Sequence, residues 1–348
     1  MFGTANCTKY PIGLGVLALT VLSGGGCASK NETQVQLANP YWELAWKAAS
    51  TIHSPIDAGT TKVRICDAAA QCGQLGLLEK WCASEQDLLW VKLACATTHA
   101  YAEALYGKAE KHEALMQMVA REGKKLDEWD QQHLTNPLMS AIVAGRWQKS
   151  QDFQAMKKWL FEDEVHRMPA ATLFFCDWLT SIRPPAKGGV MHGANVMPVM
   201  EMLMAQRLKF PVIERLHLLA ELSPHVCGTP WDSTVRQELG ELEKASPKPD
   251  CETLVSLSRI YAGLGKKEKA DELITRAQAM IEAKDTGACL APWAMLAEAK
   301  AAAGRSREEV NRAFEQGIAR SSDRPGYFKP VAEALTYTLR ARFETFER

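Results

Sequence analysis

Residues Cys251 to Ala283, CETLVSLSRIYAGLGKKEKADELITRAQAMIEA, constrain the fold more than any other stretch of the chain. They read as two short amphipathic helices joined by a tight turn at Gly265, because apolar residues recur every three or four positions on each side of it. A hairpin this small cannot bury its apolar face alone, so it implies similar neighbours on both sides. Elsewhere the extended runs rich in Val, Ile and Thr that mark sheets are missing. The fold class that follows is all-α, with antiparallel helical hairpins stacked on one another.

Within this stretch Leu254, Leu257, Tyr261, Gly265, Ala270, Ile274 and Ala277 sit at the spacings favoured by tetratricopeptide (TPR) repeats, and the segment resembles one unit of that family. A second segment follows the pattern in part: Trp293, Leu296 and Gly304 align with Leu254, Leu257 and Gly265, while Lys300 replaces Tyr261. A third does so more weakly, with Ile65, Ala69, Gly73, Leu78 and Cys82 aligned to Leu257, Tyr261, Gly265, Ala270 and Ile274, and Lys62 standing where Leu254 would be. The resemblance implies a TPR-like α-solenoid whose first helices line a curved groove for an extended peptide or a partner's helix. The carboxylate clamp of some TPR proteins is not evident, so no ligand residues carry over.

Taken in order, the chain divides into five parts. The first is a candidate signal peptide, residues 1–26: Lys9 gives a positive flank, and the apolar run from Pro11 to Leu22 is too short to span a bilayer. Cys27, after SGGGC begins, suggests a bacterial lipoprotein signal in which that thiol is acylated. The pattern departs from the usual lipobox, since Gly24 occupies the place three residues before the cysteine. Simple cleavage nearby, for instance after Ala28, stays open. Residues 27–39 are polar and suit a flexible tether. Residues 40–162 form an N-terminal helical-hairpin region, in which Pro137 is expected to start a new helix. Residues 163–249 are irregular, with a loop at 183–198 (RPPAKGGVMHGANVMP) that cannot be a continuous helix. Residues 251–348 hold the TPR-like repeats and a last helix from Pro330 to Phe346. That helix places Val331, Leu335, Leu339, Phe343 and Phe346 along one side, with Arg340 and Glu344 elsewhere, as the cap of a solenoid would. Ser306 and Glu309 have the spacing of a capping box for the helix before it.

Eight cysteines follow Cys27, and in an exported protein an even set suggests disulfides. If Gly73 and Gln74 form a hairpin turn, Cys66 and Cys82 lie equally far from it and are the preferred pair, whereas Cys72 is too near the turn to reach Cys82. The alternative is that most of these cysteines are small buried hydrophobes.

Chemistry is hard to find. Lys+Arg and Asp+Glu both total 41, for a formal net charge of zero, and no basic cluster interleaves with aromatics, which argues against nucleic acid. No H-E-x-x-H, C-x-x-C, G-x-S-x-G or phosphate-binding loop occurs, so no metal site, cofactor or catalytic residue is expected. Helical carboxylates alternate with bases, as in Glu272 and Arg276, in the manner of a solvated face. His192 between two glycines is a candidate contact in a binding loop, set against a plain connector. The methionines at 191, 197, 200, 202 and 204 are an adaptable surface or core filler. Of the ten tryptophans, Trp42, Trp46, Trp81, Trp159 and Trp293 fall on apolar stripes and read as core rather than as exposed platforms for sugars.

These features point to an exported, membrane-anchored, non-catalytic protein–protein interaction scaffold of the bacterial cell envelope. Its partner would be a protein or peptide in the groove, and its membrane contact the lipid anchor alone. The alternatives are an all-α envelope enzyme, for example one acting on glycans near loop 183–198, and a structural subunit of an outer-membrane assembly.

Overall fold

The computed structural model describes residues 39–85, 88–150, 212–245, 248–284 and 289–346, with isolated positions between 155 and 209. Among these residues the chain is all-α, with short 3-10 turns and no strand. The first half holds α1 (Pro40–Ser50), α2 (Pro55–Gln71), α3 (Leu75–Ser84), α4 (Leu89–Tyr106), α5 (Ala109–Glu122) and α6 (Glu128–Ser150). The second holds α7 (Val212–Val226), α8 (Asp232–Ala245), α9 (Cys251–Gly263), α10 (Lys267–Glu282), α11 (Pro292–Ala302), α12 (Arg307–Ser321) and α13 (Lys329–Phe346). The signal segment, Cys27, the tether up to residue 38, and loop 183–198 with His192 lie outside the described residues. No described helix is long and apolar enough to cross a membrane.

Local chemistry explains where the helices begin and end. Asn39, Ser54 and Asp250 accept hydrogen bonds from the backbone N–H groups of Tyr41, Asp57 and Thr253, and Pro40, Pro55 and Pro292 occupy first helical positions. The expected capping box of Ser306 and Glu309 is formed on both sides. Three helix ends share one hydrogen-bond pattern. The N–H groups of Gln74, Lys266 and Arg305 reach the carbonyls of Ala69, Tyr261 and Lys300, at 2.9, 2.8 and 3.0 Å. The glycine before each, Gly73, Gly265 or Gly304, has φ between 66° and 71° and donates to the carbonyl three residues back. This is the Schellman closure, and a residue with a β-carbon would be strained at the left-handed position it needs. The aligned segments therefore make the same turn with the same bonds, including the one where Lys300 replaces Tyr261.

The helices pack in two files. In the inner file α6 lies on α4, α4 on α2, α2 on α13, α13 on α11, α11 on α9, and α9 on α7. The outer file covers the joints: α3 lies on α2 and α4, α1 on α13 and α2, α12 on α11 and α13, and α10 on α9 and α11. The last helix thus does not cap an end, as its amphipathic pattern suggested. It stands in the middle of the file with the first helix as its outer partner, and its arginines Arg340 and Arg342 are buried at 9% and 2% exposure. For the same reason the described helices of the regions 40–162 and 251–348 contribute to one continuous core.

Pro137 is a second departure from expectation. It lies inside α6, which runs unbroken from Glu128 to Ser150. Proline removes one backbone hydrogen bond from a helix, but Leu134, Ala141, Val143, Ala144 and Trp147 bury a stripe on both sides of it, and that packing against α4 holds the helix together.

Two inner helices, α4 and α9, are buried on every side along their middle turns. In α9 each residue from Leu254 to Ile260 is buried, polar ones included, and in α4 the same holds from Leu93 to Ala104. An open groove along the first helices would leave one face of each in solvent. Because inner helices return through outer ones by short turns, they run parallel to each other. Their C-terminal ends, with the glycine turns, form one edge of the array. Their N-terminal ends, with connections such as 51–54, 123–127 and 322–328, form the other.

Candidate functional site

The repeat alignment brings three ionisable residues to equivalent places: Asp67 on α2, Arg259 on α9 and Glu298 on α11, each two positions after the aligned Ile65, Leu257 and Leu296. Arg259 and Glu298 are 5% and 1% exposed. Asp67 accepts from the Thr98 hydroxyl at 2.9 Å, and burial raises its carboxyl to about 6 against the pull of that bond and of Arg64. Hydroxyls are plentiful on the inner helices, but Thr97, Ser258, Thr336 and Thr338 donate to carbonyls of their own helix at 2.7–2.8 Å. Such bonds satisfy a buried hydroxyl and leave it no base to activate it.

Two buried histidines, His99 and His112, are held in structural arrangements. His99 Nε2 lies 3.2 Å from the Glu103 carboxylate, which also accepts from the Lys108 N–H at 3.0 Å. Burial pushes Glu103 upward, but the Lys108 N–H and the Lys111 ammonium outweigh it and hold the carboxyl below its ordinary value. Burial and Lys111 hold His99 below its own. This cluster secures the α4–α5 corner, where a β-carbon on Gly107 would collide with Glu103. His112 Nδ1 faces the Ala100 carbonyl at 2.9 Å, with Gly145 of α6 pressed against its ring. Among the described residues no group of His, Cys, Asp or Glu is arranged to hold a metal ion.

His225 titrates in a way that can be measured. It is 4% exposed, its Nε2 makes no hydrogen bond, and burial lowers its pKa to about 4. The unfolded chain takes up a proton near pH 6.5 that the folded chain refuses until about 4, so His225 removes stability as pH falls through that window. Urea unfolding of the wild type should lose about 2–3 kcal/mol relative to His225→Phe between pH 6.5 and 4. Parallel pH profiles for the two chains would show that His225 is not held neutral.

Three of the six exposed large hydrophobic side chains among the described residues share one edge, while Tyr106, 42% exposed at the C-terminal end of α4, lies on the other. Ile56, Trp129 and Tyr327, at 51%, 48% and 67% exposure, lie at or just before the N-termini of α2, α6 and α13, and so on one edge. There the His133 ring sits 4.2 Å from the ring of Trp129 and 5.2 Å from that of Trp90 on α4. At the opposite edge Asn39 binds the Ala341 carbonyl near the end of α13, at 2.9 Å.

The residues singled out by the repeat pattern are structural. Leu254, Leu257, Ala270, Ile274 and Ala277 are buried, and Tyr261 is half-buried with its phenol raised by burial and by a bond with Glu243. Trp42, Trp81 and Trp293 are core residues, and Trp46, half-buried, stacks on Trp81 at 4.7 Å. Met204 is buried, and Met191, Met197, Met200 and Met202 lie outside the described residues. The pairing expected for Cys66 and Cys82 is not formed: both are free thiols, and Cys66 Sγ instead lies 3.1 Å from Cys95 Sγ on α4. Cys95 was hidden in the sequence because nothing about residue spacing says that α4 crosses α2 at that level. Comparison with protein-family models, curated proteins and solved structures gives no match for this chain.

Proposed function

We propose that this protein is a non-catalytic interaction scaffold of the bacterial cell envelope, built from TPR-like hairpins as an α-solenoid and tethered to a membrane through acylated Cys27. The observation that carries the scaffold reading is the repetition of one closure, at Gly73, Gly265 and Gly304, between helices at aligned positions. Because α4 and α9 are buried on all sides along their middle turns, the partner-facing surface is assigned to the edge bearing Ile56, Trp129 and Tyr327, and not to a groove along the first helices. Asn39, which follows the tether in sequence, lies at the other edge, so an anchor at Cys27 would turn the aromatic edge away from the membrane. The partner is a protein.

A photo-crosslinking amino acid at Trp129 or Tyr327 should capture a specific protein in native membranes, and one at Glu315 on the outer helix α12 should not. Equal or no capture at both places removes the support for this reading. Radiolabelled palmitate should enter the wild-type chain and be absent from Cys27→Ser; label that survives the substitution would remove Cys27 as the anchor.

A second reading, an all-α envelope enzyme acting on glycans, draws on one observation: Asp67, Arg259 and Glu298 recur on the inner helices. Hydrolysis of envelope glycan that is lost in Glu298→Gln, with the fold retained, would favour it over the scaffold.

A further inference from the structure

Cys66 on α2 and Cys95 on α4 are both fully buried, and their sulfur atoms are 3.1 Å apart. A disulfide needs about 2.05 Å between sulfurs, so closure asks for a movement of about an ångström between two helices already in contact. Cys82 on α3 is largely buried and near enough to help raise the Cys66 thiol, but its sulfur makes no such contact with Cys66. We propose that Cys66 and Cys95 form a structural disulfide that staples α2 to α4 across the whole of α3, with Cys82 left as a free thiol.

The oxidant is a disulfide of the compartment, either a small-molecule disulfide such as oxidised glutathione or the active-site disulfide of an oxidoreductase. One protein thiolate attacks a sulfur of that disulfide, forming a mixed disulfide and expelling one thiolate. The second protein thiolate then attacks the mixed disulfide at the protein sulfur and expels the other. The two protons lost by Cys66 and Cys95 end on the two reduced oxidant thiols, so two protein thiols and one disulfide become one protein disulfide and two thiols. Neither sulfur is reachable from solvent in the folded chain, and burial together with the neighbouring Cys95 thiol holds Cys66 well above the ordinary thiol range. Exchange therefore belongs to folding, before α2 and α4 close. Once formed, the bond is shielded from reductants for the same reason.

The test uses the full chain with Cys72→Ser, so that each relevant peptide holds one cysteine. The reduced chain is refolded with oxidised and reduced glutathione and digested with trypsin without reductant, which cuts after Arg64, Lys80, Lys92 and Lys108. Peptide 65–80 should be found joined to peptide 93–108. The link should persist in Cys82→Ser and vanish in Cys95→Ser, and oxidised protein should melt on the order of 5 °C above protein held in dithiothreitol. A link between 65–80 and 81–92, or free and alkylatable Cys66 and Cys95 after oxidative refolding to a helical, cooperatively melting protein, overturns the pairing. Oxidation in the cell rests on the proposed export, whereas refolding in glutathione does not. Paired thiols in vitro with free thiols in cells would count against export and leave the pairing standing.

Discussion

Trp42→Ala is expected to cost about 4 kcal/mol of folding stability, the largest effect of any single substitution proposed for this protein. Trp42 is fully buried on α1, and its indole N–H donates to the Thr345 hydroxyl at 3.3 Å, close to the end of α13. Around it Tyr41 stacks on Tyr337 at 6.2 Å, the Arg340 guanidinium lies 4.3 Å from the Tyr41 ring, and Asn39 holds the Ala341 carbonyl. The indole thus sits where the first and last helices meet, and its removal leaves a cavity that two helices from opposite ends of the chain must collapse to fill. Urea unfolding followed by circular dichroism measures the loss. Leu44→Ala, on the same helix but 38% exposed, should cost well under half as much. Similar small losses for both would show that α1 does not close on α13.

Gly59→Val should cost about 3 kcal/mol. Glycine inside a helix is ordinarily a defect, about 1 kcal/mol less favourable than alanine, and at Gly240 on α8 no atom would lie within 4 Å of an added β-carbon. Gly240→Ala is therefore expected to stabilise the chain by about 1 kcal/mol. Gly59 is different because α2 and α4 approach closely there. An added β-carbon would stand 2.6 Å from both the Trp90 ring and a Val91 methyl, and the indole is itself held against His133. Overpacking outweighs the propensity gain, so the two glycine substitutions should shift the urea midpoint in opposite directions. A stabilised Gly59 variant would mean that α2 and α4 are farther apart than the structure has them.

Much of this architecture was legible in the residues alone. The turn at Gly265, the capping box at Ser306 and the buried stripe of Leu254, Leu257, Ala270, Ile274 and Ala277 are local features. Each depends on hydrogen bonds or periodicities spanning a few residues, and these are written directly in the order of the side chains. Pro137 was misleading because its local rule is a preference that burial on α4 can outweigh. The last helix misled for a related reason. Arg340 reads as the polar face of an exposed helix, yet it is buried against Tyr41, a residue from the other end of the chain.

The candidate site was less legible than the fold. Asp67, Arg259 and Glu298 follow from the repeat alignment once it is made, but their burial does not. The shared edge of Ile56, Trp129 and Tyr327 becomes visible only when the parallel inner helices bring distant connections together. The cysteine contact shows the same limit most sharply, since counting from the turn favours Cys82, while Cys95 belongs to the next hairpin.

From the sequence alone came the helical class, the repeated hairpin and its glycine closures, since short-range bonding and periodicity decide these. Tertiary packing alone decided that the first and last described helices meet in mid-array, that α4 and α9 keep no open face along their middle turns, and that Cys66 lies against Cys95. Contacts between residues far apart in sequence depend on how hairpins pack on one another, and no spacing within a single hairpin encodes that.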